Sequence, residues 1–165
     1  MKITLVFQLF FVSLTCLAQA QNTIEFQNKR EASSKITLGF TGDLLVHKDL
    51  YLEVISSKKE DFSILWEKTK PLIEAADYTY TNLEGPTALG INNKRQDVGD
   101  IGFTYDDSVY SGTNMLFNFH PQIIDALRKT GFDIVSTANN HTFDRGSIGI
   151  DKTIDALKAR EFSFA

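Results

Sequence analysis

Apolar positions fall into short runs and helical stripes that alternate along the chain. Ile36-Thr37-Leu38-Gly39-Phe40 is rich in apolar and β-branched residues and predicts a strand ending at Thr41-Gly42-Asp43. From Phe62, the positions Phe62, Leu65, Trp66, Thr69, Leu72, Ile73 and Ala76 recur at helical spacing. Pro71 predicts that this stripe is split or kinked. Tyr78-Thr79-Tyr80-Thr81 predicts a second strand, running into Asn82-Leu83-Glu84-Gly85-Pro86. Residues 87–119 carry many Gly, Asn and Asp and no clear period. They predict a long loop, which in a compact domain is usually functional. Pro121 suits the first turn of a helix with Ile123, Ile124 and Leu127 buried and Gly131 as its stop. Phe132 to Ala138 predicts a third strand, which ends at Asn139-Asn140-His141. Ser147 to Ala159 predicts a helix with Ile150, Ile154 and Leu157 inward, and Phe162 to Phe164 begins a fourth strand. Strands alternating with helices predict an α/β fold: a mostly parallel sheet with helices on both faces.

The N-terminus has a different pattern. Met1-Lys2 is followed by an apolar run and by Ala18-Gln19-Ala20, the form of a secretory signal. The competing reading is a membrane anchor. The run is short of the ~20 residues a spanning helix needs, and Gln8, Ser13 and Thr15 dilute it. A lipid on Cys16 is a third reading, disfavoured because Thr15 stands where a small residue is expected. The expectation is cleavage after Ala20 and export to the periplasm, cell envelope or exterior. Cys16 is the sole cysteine, so a chain from Gln21 onward has no disulfide, thiolate ligand or Cys nucleophile. Residues 21–34 read as a polar linker and 35–165 as one domain. Lys+Arg 17 against Asp+Glu 21 gives a net charge of −4, which argues against a nucleic-acid partner.

Parallel sheets place their ligand sites at the carboxyl ends of the strands. There the sequence puts Asp43, Glu84 and Asn140-His141. Two carboxylates, an amide oxygen and an imidazole can ligate a divalent metal and transfer protons. Each also has a plain structural reading. Gly42-Asp43 is a common turn, and Asn82 and Glu84 suit a strand-end turn and a helix cap. Asn140-His141-Thr142 is a glycosylation acceptor pattern. His47, four residues after Asp43, points either into or out of the site. His120 suits a cap or the surface.

Taken together, Thr41-Gly42-Asp43-Leu44-Leu45, Asn82-Leu83-Glu84-Gly85-Pro86-Thr87 and Ala138-Asn139-Asn140-His141-Thr142-Phe143-Asp144-Arg145-Gly146 resemble the CapA family. These are bacterial capsule or poly-γ-glutamate synthesis proteins related to calcineurin-like metallophosphoesterases. Gly131-Phe132-Asp133-Ile134-Val135 and Gly149-Ile150-Asp151-Lys152-Thr153-Ile154 match in order, and the resemblance covers about residues 35–165. It implies the N-terminal half of a four-layer metallophosphoesterase-like domain. It assigns Asp43, Glu84 and Asn140 to divalent metal (Mn, Fe, Zn or Mg), His141 to acid or oxyanion work, and Asp144 to orienting His141. It implies an anionic polymer or phosphorylated substrate and a membrane capsule-synthesis complex as partner.

Two features depart from the metallophosphoesterase pattern. Leu45 stands where a histidine is usual, a departure CapA proteins share. No histidine follows His141, whereas the superfamily takes further metal ligands from later histidines. The chain therefore reads as truncated at its C-terminus, with a compact four-residue site as the alternative. Three functions follow: a CapA-type metal-dependent hydrolase or transferase, a non-catalytic exported subunit or binding scaffold, and an unrelated binding protein. No Gly-rich phosphate loop follows the first strand, which disfavours the third.

Overall fold

The structure, a computed structural model, describes residues 35–165. The expected signal, Cys16 and the expected linker lie outside the described residues. Four parallel strands form one sheet in the order β1-β2-β3-β4: β1 Leu38–Leu44, β2 Tyr78–Leu83, β3 Ile134–Ser136 and β4 Ser163–Phe164. The α/β, parallel-sheet expectation is met. Strand β1 runs further than its apolar residues imply. Its pairing with β2 slips between Phe40 and Asp43, then resumes with Asp43 opposite Asn82. This irregularity carries the strand on to Leu44 and sets Asp43 in its last turn of pleat.

Between β1 and β2 lie α1 (Lys48–Ser56), a 3-10 turn over Phe62–Trp66 and the single-turn α2 (Lys70–Ile73). The apolar stripe from Phe62 is thus split, with Pro71 in the first turn of α2. That placement leaves no helical donor missing. Helix α1 has no counterpart in the sequence reading. Its buried residues are Tyr51 and Val54 alone, while Leu50 and Leu52 are exposed, so its period is too brief to stand out. Helix α3 (Gln122–Thr130) buries Ile123, Ile124 and Leu127 as expected. His120 acts as its cap, accepting the Gln122 N–H at 3.3 Å on Nδ1. Gly131, at φ 107°, ends it by donating to Leu127 and Arg128 carbonyls. Helix α4 (Gly146–Ala159) buries Gly146, Gly149, Thr153 and Leu157, whereas Ile150 and Ile154 are half-buried beside Gly85 and Pro86.

Every helix contributes to one core. Tyr51 and Val54, Ile73, Ile123, Ile124, Ala126 and Leu127, and Leu157 cluster with Leu83, Val135 and Phe162. A sheet whose strands follow in sequence, joined by right-handed crossovers, puts all its crossovers on the same side. The face bearing Thr79, Thr81 and Val135 is buried. On the other face Phe40, Tyr80 and Ile134 pair side by side. Phe40 is 72% exposed, Leu38 57%, and Tyr78 is also open. The two faces should respond differently to substitution. Phe40→Thr is expected to cost less than about 1 kcal/mol, and Leu157→Ala about 2–5 kcal/mol. Urea unfolding of the two variants measures the contrast.

The long segment 87–119 is loop, as the sequence implies, with one 3-10 turn at Asp107–Tyr110 and an isolated bridge between Ile91 and Asp97. It is nonetheless packed. Ala88, Ile91, Val109, Phe117 and Phe119 are buried. The Asn118 amide donates to the Ala88 and Ile91 carbonyls and accepts the Ala88 N–H. At Gly90, φ is +75° and a Cβ would meet the Gly99 carbonyl oxygen at 2.2 Å, so that crossing requires glycine. The segment is a strap laid across the carboxyl edge of the sheet.

Candidate metal and proton-transfer site

The strand ends are joined by a ladder of polar side chains. Asp43, the penultimate residue of β1, accepts a hydrogen bond from Asn82 Nδ2 at 2.8 Å. The Asn82 side-chain oxygen, Oδ1, in turn accepts from Asn139 Nδ2 at 3.0 Å. Asn139, on the exit from β3, also donates to the Leu83 carbonyl at 2.9 Å and accepts the His141 N–H at 3.0 Å. Because the strands are parallel and adjacent, one side chain per strand end suffices to cross the sheet. The two amides present donor to one side and acceptor to the other, so the chain of bonds is satisfied throughout.

His141 is held from two directions. Its Nδ1 bonds Asp144 Oδ2 at 2.8 Å, and the same oxygen accepts the Phe117 N–H at 2.7 Å. The Phe117 ring stands edge-on to the imidazole at 4.8 Å. An ionised carboxylate only accepts, so the Nδ1 proton faces Asp144 and the Nε2 lone pair is left for chemistry. Asp144 is buried, and Arg145 beside it is fully buried. Arg145 grips the strap: Nε donates to the Phe117 carbonyl at 3.2 Å, and Nη2 to the Leu116 carbonyl and Asp106 Oδ2, both at 2.8 Å.

Glu84 follows β2 and lies beside Asp43. Its carboxyl is pushed above the ordinary glutamate range, first by burial and then by the Asp43 carboxylate; the nearby His141 partly opposes the shift. Two carboxylates this close repel unless a proton or a cation sits between them. Their donor set fits a hard divalent ion as far as it goes, since both offer oxygen and His141 offers a nitrogen. Among the described residues, no group of three or more His, Cys, Asp or Glu closes around one point as a metal centre.

Of the residues singled out from the sequence, Asp43, Glu84, His141 and Asp144 are brought to one edge. Asn140 is exposed and makes no side-chain hydrogen bond among the described residues; its neighbour Asn139 takes the place in the ladder. Asn82 and Asn139 had a sequence signal, being amides at strand exits. Phe117 and Arg145 had little. Phe117 sits in a stretch without period, and Arg145 reads as an ordinary surface cation until its burial is known.

Residues 37–165 match the family model of the bacterial capsule synthesis protein PGA_cap. The chain belongs to the PGA_cap family. Relatives include "Capsule biosynthesis protein CapA" of Bacillus anthracis, 22% identical over 136 residues, covering 82% of this chain and 29% of that protein. "PGA biosynthesis protein CapA" of Bacillus subtilis (strain 168) is 25% identical over 126 residues, covering 76% of this chain and 28% of that protein. The chain thus spans under a third of the curated relatives it matches. The whole sheet, the strap and every residue of the ladder fall within the PGA_cap match.

Proposed function

We propose that this PGA_cap chain is an exported protein of capsule or poly-γ-glutamate synthesis whose strand-end edge is a metal-dependent hydrolase or transferase site. One observation carries the reading: Asp43 and Glu84 stand side by side at adjacent strand ends, next to an imidazole oriented by Asp144. Asp43 and Glu84 would hold the divalent cation, with Asn140, on the turn after β3, as the third ligand the family resemblance assigns. When bound, such an ion polarises a phosphoryl or carbonyl oxygen and makes water a better nucleophile. His141 Nε2 is free to take a proton from the nucleophile or return it to the leaving oxygen. Asp144 fixes the ring for that task and stabilises the imidazolium. The substrate class is an anionic polymer or a phosphorylated precursor, and a membrane capsule-synthesis complex is the partner. Export follows from the signal at residues 1–20, and N-terminal sequencing of secreted material should begin at Gln21. No helix of the described residues is long and apolar enough to cross a membrane.

The second reading, a non-catalytic scaffold of the same assembly, is favoured by the lack of a closed ligand set among the described residues. Hydrolysis of a generic phosphodiester with added manganese separates the two. A catalytic site predicts turnover that His141→Ala lowers by about 100-fold or more, the scale of general acid–base catalysis. Cation binding without turnover, in the chain and in any longer form, would favour the scaffold.

A further inference from the structure

His47 is a second imidazole at this edge. It lies on the connection from β1 to α1, and His141 on the connection from β3 to α4. The strands are parallel, so both connections leave the sheet on the same side. Both rings meet Phe117. His47 stands edge-on to it at 5.2 Å and an interplanar angle of 90°, His141 at 4.8 Å and 86°. The strap therefore places one phenyl ring between two histidines from different strand ends.

Their hydrogen bonds set them in opposite tautomers. His141 Nδ1 faces a carboxylate, which only accepts, so its Nε2 bears the lone pair. His47 Nδ1 faces the Tyr110 hydroxyl at 2.6 Å. That hydroxyl oxygen accepts from the Lys48 N–H at 3.5 Å. An imidazole nitrogen is a stronger base than a phenol oxygen, so with the Lys48 N–H on its oxygen Tyr110 gives its own hydrogen to His47 Nδ1. The His47 proton is then on Nε2, at an exposed ring. An Nε2–H has no lone pair for a metal. It is a donor, and its natural partner is an oxygen anion.

We propose that His47 is an anion-binding residue of this site, its Nε2–H donating to a phosphoryl or carboxylate oxygen of the substrate while His141 handles the proton. The proposal rests on the reading that the Asp43–Glu84 edge is where substrate binds. Tyr110 is the positioning residue: it holds the His47 ring nearly parallel to its own, at 6.2 Å and 19°.

The test is long-range proton–nitrogen NMR of the 15N-labelled 165-residue chain at pH 8 in metal-free buffer. The neutral His47 should carry its proton on Nε2 and His141 on Nδ1. Tyr110→Phe should remove the His47 preference and leave that of His141. Inorganic phosphate and a short γ-linked glutamate oligomer are then titrated separately. The ligand that shifts the His47 Nε2–H saturably identifies the source as phosphoryl or carboxylate. His47→Ala should weaken its binding about tenfold, as loss of a hydrogen bond to a charged group does. His47→Gln, which keeps a donor, should recover part of that. The proposal is overturned if His47 is protonated on Nδ1, if neither anion binds, or if His47→Ala binds both as the parent chain does. These readouts need no metal, so a loss of manganese binding at Asp43 and Glu84 would strike the metal reading separately.

Discussion

Arg145→Met is expected to destabilise the protein by about 3–5 kcal/mol, the cost of stripping one partner from a buried ion pair. The guanidinium is fully buried. It bonds two strap carbonyls, at Leu116 and Phe117, and the Asp106 carboxylate. Methionine would fill much of the volume but leave all three acceptors without donors. Arg145→Lys should recover part of the loss, because one ammonium cannot reproduce a planar fork. Urea unfolding gives the stabilities, and the His141 ring signals report whether the strap still seats. Loss of less than about 1 kcal/mol in Arg145→Met would mean that the strap is held by Phe117, Phe119 and Val109 alone.

Asp106 adds a pH dependence to the same contact. Burial pushes its carboxyl up, but hydrogen bonds from Ser108 and the Arg145 charge outweigh that and hold it below the ordinary carboxylate range. A group whose pKa is depressed by folding stabilises the fold above its unfolded value. That contribution is lost as pH falls through the folded value. The strap should therefore loosen in acid, below about pH 4, and Arg145→Met should lose the Arg145 share of this acid transition while the Ser108 share remains.

The second large effect is on cation binding. Glu84→Gln and Asp43→Asn are each expected to weaken manganese binding by more than the 10–100-fold typical of losing a supporting residue. Calorimetric titration of the full chain measures it. Glu84 also sets a pH signature. Burial and the Asp43 carboxylate raise its pKa, so in metal-free protein stability falls as pH rises from its unfolded value through the raised folded one. A divalent cation replaces the proton between the two carboxylates and should reverse that slope. Cation affinity should in turn drop at a higher pH than for an ordinary carboxylate. Glu84→Gln would remove both effects. An unchanged affinity in both variants would show that these carboxylates do not hold the ion.

Local patterns carry some of this molecule plainly. The stretch Tyr78-Thr79-Tyr80-Thr81, the stripe Ile123-Ile124-Leu127 and the stop at Gly131 give β2 and α3, because propensity, burial and turn chemistry agree there. Asp43, Glu84, His141 and Asp144 are legible for another reason. Parallel strands deliver their exits to one edge, so polar residues after successive strands are brought together by topology alone. Helix α1 was hidden because just two of its residues are buried.

The alternation of strands and helices, and with it the edge where the chemistry gathers, is written in the local pattern of residues. Which amide enters the ladder was decided by tertiary structure. Asn139 and Asn140 are chemically identical, and only the turn after β3 points the first at Asn82. The order β1-β2-β3-β4 is a choice among strand neighbours that local periodicity does not encode. The roles of Phe117, Arg145 and His47 depend on contacts about 30 to 70 residues apart. Such contacts form when the strap 87–119 closes over the strand ends, and no spacing along the chain reports them.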